Sequence, residues 1–150
     1  MTHKNIELKR FDGGDNSAGA ITVTHQSNGE KDINCCRVDL NKNHSVAVQF
    51  STLAHELGHL YLGHIGPDKN LCISVRHSLI YEHREIEAES VSYLVCERNG
   101  VTPKSETYLA RFVKNKITID DINLYQVMRA AGQVETLLDL TSSIKHGNVK

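Results

Sequence analysis

Residues 52–64 read TLAHELGHLYLGH. An α-helix turns once in about 3.6 residues, so positions four apart share a face. On a helix, His55 and His59 therefore project side by side. Two imidazoles at that spacing can both reach one zinc ion at about 2.0–2.1 Å. Glu56 follows the first histidine and is rotated off the pair, so it need not compete as a ligand. It is free to hold a water and take its proton. Two ligands on one face with a base beside them suit a hydrolytic metal site. The competing reading is a helix that merely carries histidines. The apolar, uncharged surroundings of the motif favour the metal.

The helix extends in both directions from the motif. From Ser45 the chain reads SVAVQFSTLAHELGHLYLG. Phe50, Leu53, Ala54, Leu57, Leu60 and Tyr61 recur at three and four and make one apolar face. Ser45 is a candidate N-cap. Gly63 is a natural stop just past the last apolar residue. Gly58 costs about 1 kcal/mol inside a helix relative to alanine. Its presence predicts close packing against the backbone there.

A catalytic zinc takes three protein ligands and keeps one position open. The third is sought in residues 81–100, YEHREIEAESVSYLVCERNG. Ile86, Ser90, Tyr93 and Leu94 fall at helical spacing, with Ala88, Val91 and Val95 alongside, and Gly100 closes the element. Glu85 and Glu89 are four apart and share a face. One can ligate the metal. The other can accept a hydrogen bond from a ligand histidine and fix its tautomer. Glu82 and Glu87 are assigned to a solvated face.

These two motifs, TLAHELGHLYLGH followed by REIEAESVSYLVCERNGV, resemble the ImmA/IrrE family of zinc metallopeptidases. They are also similar to the metallopeptidase domain of ArdC-type antirestriction proteins. The likeness covers roughly residues 46–135 and is strongest at the motifs. It implies a gluzincin-like zincin fold with Zn²⁺ held by His55, His59 and Glu85, and with Glu89 supporting a ligand histidine. There are two departures. Glu89 stands where many family members carry Asn or Asp, and the Leu-Met-Pro run that often follows the second motif is absent. The resemblance further implies an extended substrate paired with a sheet edge beside the active helix, here from the 32–40 region.

The chain has 150 residues and a formal net charge of −1. That length suits a single domain, 1–150, with one core. The charge supplies no basic field to hold nucleic acid, so direct nucleic-acid binding is not expected. Four cysteines, Cys35, Cys36, Cys72 and Cys96, form no CxxC pair. With no signal peptide, they read as reduced thiols of a cytoplasmic protein, Cys96 as a buried helix residue. No apolar run is long enough to span a membrane.

The N-terminal third is β-like. IELKRF reads as a short strand, 12–19 as a loop, and AITVTHQ and INCCRVDL as strands flanking an Asn28-Gly29 turn signal. A small antiparallel sheet is expected to pack on the motif helix. The C-terminal half is expected to be helical: a short helix from near Pro103, then an amphipathic one over 119–140 with Val127, Met128, Ala131, Val134 and Leu138 as its stripe. The tail, 141–150, is expected to be mobile. The fold class is therefore α+β.

In the reaction so implied, Glu56 is the general base. The oxyanion needs a donor besides the metal. Tyr81, His83, His77 and Tyr93 are the candidates, and His64 is read as structural. The expected substrate is a cytosolic protein. By family precedent it is a helix-turn-helix repressor of a mobile element or stress response. The alternatives are a non-catalytic module that keeps the fold and acts by contact, and a toxin or effector that needs a partner protein.

Overall fold

The computed structural model describes residues 6–28, 31–68, 71–74, 76, 79–102 and 122–140. The helix expected near Pro103, the tail 141–150 and His77 lie outside these.

The chain opens with three strands, β1 (Ile6–Phe11), β2 (Gly19–Asn28) and β3 (Lys31–Asn41). β2 and β3 form the hairpin that Asn28-Gly29 signals, with Asn28 opposite Lys31. The sheet order is β1-β3-β2, and β1 runs parallel to β3. This corrects the expected antiparallel sheet: it is mixed. The hairpin occupies one edge of β3, leaving the other for β1. Loop 12–18 reverses the chain before β2 and the hairpin reverses it again, so β1 and β3 point the same way.

Cys36, Val38 and Leu40 alternate along β3 and are buried, as a strand with one face on the core requires. Asn41 ends the strand, fully buried, and its amide donates to Gly14 O and Ser17 O at 3.0 and 2.8 Å. One carboxamide thus pins the loop that brings β2 back.

Three helices follow: α1 (Val46–Tyr61), α2 (Tyr81–Arg98) and α3 (Leu124–Leu137). α1 packs against β2 and β3 on one side and against α2 and α3 on the other. Its expected apolar face is observed: Ala54, Leu57, Leu60 and Tyr61 are buried, with Phe50 and Leu53 packed against the core. Ser45 caps it, its hydroxyl accepting from Val48 N at 3.3 Å. At Gly58 a methyl group would lie 3.2 Å from Val91 Cβ, so α2 supplies the close packing. Beside it, the hydroxyls of Ser51 and Ser92 meet at 3.1 Å, both buried.

α2 buries Ile86, Ala88, Val91, Val95 and Cys96 as expected; Ser90, Tyr93 and Leu94 are only partly buried, whereas Glu87, Glu89 and Ser92 are buried too. α3 starts later than expected, with Asn123 accepting from Gln126 N at 3.2 Å as its cap. Its core stripe is Val127, Ala130, Ala131 and Val134. Met128 is instead 58% exposed, because Ala130 takes the inward position. An ion pair of 2.6 Å between Arg98 and the buried Glu135 joins α2 to α3. Among the described residues no helix is long and apolar enough to cross a membrane.

Candidate metal centre

α1 and α2 cross where Gly58 lets them approach. The crossing sets His55 and His59 of α1 against Glu85 of α2. His55 Nε2 and His59 Nε2 are 3.1 Å apart. His59 Nε2 lies 3.2 Å from Glu85 Oε1, and His55 Nε2 lies 3.4 Å from Glu85 Oε2. Metal–ligand bonds of 2.0–2.1 Å in a tetrahedron place ligand atoms about 3.3–3.4 Å from one another. The two imidazole nitrogens are near that spacing, the Glu85 carboxylate offers one oxygen to each of them, and the donor set is His₂Glu. These three residues could therefore hold a metal ion.

The far nitrogens of both imidazoles are engaged. His55 Nδ1 meets Glu89 Oε2 at 2.7 Å, and Glu89 is itself buried. This is the supporting carboxylate that the shared face of Glu85 and Glu89 allowed. His59 Nδ1 meets His64 Nδ1 at 2.8 Å. With Nδ1 committed on both rings, Nε2 is left to face the metal.

The electrostatics favour a cation. Burial alone would lower the His55 pKa, but the hydrogen bonds that the ring donates to Glu85 and Glu89 outweigh it and lift the group to about 10. Burial would raise Glu85, yet both histidines hold it well below the ordinary carboxylate range. Glu56 is pushed upward, first by burial and partly by the charge of Glu85; the two histidines and a backbone hydrogen bond from Ile21 oppose this. Burial of Glu56 beside the ligands gives a base of raised basicity, suited to proton transfer nearer neutral pH.

The centre opens into a cleft of about 640 Å³. One wall is α1, from His44 through Thr52 to His59, and the other includes Ala18 to Ile21 of β2 and its approach. Tyr81 and Arg84 line one part of it. β3 is the central strand, and residues 36–40 of the 32–40 region expected to receive substrate are paired on both sides, with β1 and with β2. The strand that borders the cleft is β2. Of the oxyanion candidates, Tyr81 lines the cleft, its pKa raised first by the Glu85 charge. His83 and Tyr93 are not among the lining side chains. His83 precedes Glu85 by two positions and is turned about 200° around the helix from it.

The assignment of Glu87 to a solvated face is overturned. Glu87 is buried and accepts from Arg76 through both oxygens, at 2.8 and 3.0 Å. Its Oε1 also lies 2.9 Å from His64 Nε2. Burial would raise its pKa, but His64 and Arg76 hold it down at about 2. His64 shifts the other way, lowered chiefly by burial. A pattern search misses this cluster because its members come from three separate segments. The only local signal was Gly63 ahead of His64.

No protein-family model, curated protein or solved structure matches the chain.

Proposed function

We propose that this protein is a zinc-dependent metalloendopeptidase of the zincin type, acting on a cytosolic protein substrate. The observation that carries the reading is the convergence of His55 Nε2, His59 Nε2 and the Glu85 carboxylate, the two nitrogens 3.1 Å apart and each within 3.4 Å of one or the other Glu85 oxygen. The resemblance of both motifs to ImmA/IrrE metallopeptidases points to the same residues, and a repressor protein is the substrate it suggests.

Bound zinc supplies Lewis acidity and brings the pKa of a coordinated water toward about 7. The remaining steps belong to side chains. Glu56 takes a proton from the attacking water as the water oxygen adds to the scissile carbonyl carbon. It then returns that proton to the departing nitrogen as the C–N bond breaks, leaving an acid and an amine. Glu89 and His64 keep the ligand rings in one tautomer. Tyr81, which lines the cleft, donates to the oxyanion. An extended substrate strand lies along β2, whose outer edge borders the cleft.

The test measures bound metal by mass spectrometry in wild type, His59→Ala and Glu85→Ala, and hydrolysis of a mixed peptide library by wild type and Glu56→Gln. One zinc per chain in wild type, lost from both ligand variants, is expected. Glu56→Gln should keep the metal and lose about 10²–10⁴-fold in rate. Unchanged hydrolysis in Glu56→Gln, or wild type that takes up no zinc, would sink the reading in favour of a module acting by contact.

A further inference from the structure

We propose that His64 is a positioning residue for the metal centre, accepting the Nδ1 proton of His59 while Glu87 and Arg76 fix its own ring. The inference rests on the metallopeptidase reading, because it concerns how one metal ligand is held.

The backbone brings the two rings together. α1 ends with Leu62 as its cap and Gly63 at φ +77°. Gly63 N–H bonds to Leu60 O at 3.1 Å, and His64 N–H bonds back to His59 O at 3.0 Å. This paired closure is a Schellman turn, and it needs a left-handed residue at the position Gly63 fills. It returns the chain so that residue 64 lies beside residue 59. The imidazoles then meet at 2.8 Å between their Nδ1 atoms.

With a metal on His59 Nε2 and both rings neutral, proton placement in the cluster has one consistent solution. Arg76 can only donate, and it donates twice to Glu87. Glu87 is therefore a carboxylate, and His64 Nε2 must donate to it across 2.9 Å. A neutral imidazole with its proton on Nε2 presents Nδ1 as an acceptor. His59 Nδ1 must then be the donor in the 2.8 Å contact, which leaves the His59 Nε2 lone pair directed at Glu85 and His55. The guanidinium of Arg76 thus sets the tautomer of His59 three hydrogen-bond links away. Arg76 also donates to Leu62 O at 3.0 Å, tying the turn itself to the chain of contacts. The two ligands are supported differently: His55 by a carboxylate, His59 by a neutral ring.

A purely structural His64 would fill space and satisfy Glu87 only. The variants His64→Leu and His64→Asn separate the two roles. Both are branched alike and both lose the bond to Glu87, but Asn keeps an oxygen where Nδ1 stood. Zinc affinity is measured by chelator competition, and the absorption of the Co²⁺-substituted protein reports ligand geometry. His64→Leu should bind zinc about 10–100-fold more weakly and shift the Co²⁺ bands. His64→Asn should recover most of the affinity and the wild-type bands. A folded His64→Leu with wild-type affinity and spectrum, or equal losses in both variants, would overturn the proposal. A second readout needs no variant. In ¹⁵N-histidine-labelled wild type loaded with zinc, a scalar coupling between the two Nδ1 atoms is expected, and its absence overturns the proposal. Wild type that takes up no zinc defeats the metallopeptidase reading instead, and the metal content measured first distinguishes the two failures.

Discussion

Gly58 packs directly against Val91 where α1 meets α2: a methyl on Gly58 would sit 3.2 Å from Val91 Cβ and 3.4 Å from Ala88 O. Val91 and Ala88 are both fully buried, and a β-branched side chain is stiff. Neither neighbour can yield easily. Gly58→Ala gains about 1 kcal/mol of helix propensity but overpacks the crossing, which typically costs about 1–3 kcal/mol. A net loss of stability is expected in chemical denaturation, and a larger one for Gly58→Val. The same displacement should weaken zinc binding, since it separates Glu85 from the two histidines. A stabilised Gly58→Ala with full affinity would show that the helices can part freely.

Metal removal should lower stability by mass action. At free zinc 100 times its dissociation constant, binding contributes about 2.7 kcal/mol. For a chain of this size that is about 5–10 °C in melting temperature. The measurement is a thermal melt of wild type with and without a chelator, repeated in Glu85→Ala. The variant should show no zinc-dependent shift.

Acid should act through Glu87. Its folded pKa, held at about 2, lies below its ordinary value of 4.5. The unfolded chain therefore binds more protons in this range, and stability falls as pH falls. The contribution is present above about 4.5 and lost as pH drops through about 2. The shift corresponds to at most about 3 kcal/mol. Glu87→Gln is expected to be less stable at neutral pH and flatter between pH 5 and 2, as denaturation midpoints across that window would reveal.

Thiol reactivity should divide by position. Cys36 and Cys96 are buried, and burial raises the pKa of both above 9.0. Cys72 is exposed. Alkylation of the native protein near neutral pH, read by mass spectrometry, should modify Cys72 and spare Cys36 and Cys96. Protection of the two buried thiols should disappear in denaturant.

The parts legible in the sequence were those governed by local rules. The 3.6-residue period located α1 and its buried face, Ser45 and Gly63 marked its ends, and the spacing of His55, His59, Glu85 and Glu89 anticipated which groups would meet. Asn28-Gly29 marked the hairpin. What was not legible depends on distant partners. Glu87 looks solvated in an acidic run because neither His64 nor Arg76 is near it in sequence. β1 takes the far edge of β3 because the hairpin has filled the near one, and no strand pattern encodes which edge stays open. Met128 fits the apolar period of α3 but loses its place to Ala130, a choice made by the neighbouring helices.

The candidate ligands sit on two helices, with His59 and Glu85 at the ends of one connecting segment. A metal bound there would close that segment into a ring of 27 residues, counting from 59 to 85. It would behave as a removable cross-link, trimming the disorder available to the unfolded chain much as a disulfide does, by about 3–4 kcal/mol for a loop of this length. A chelator would then cut a tether as well as empty a site, and the stretch between the helices should become the first place a protease finds.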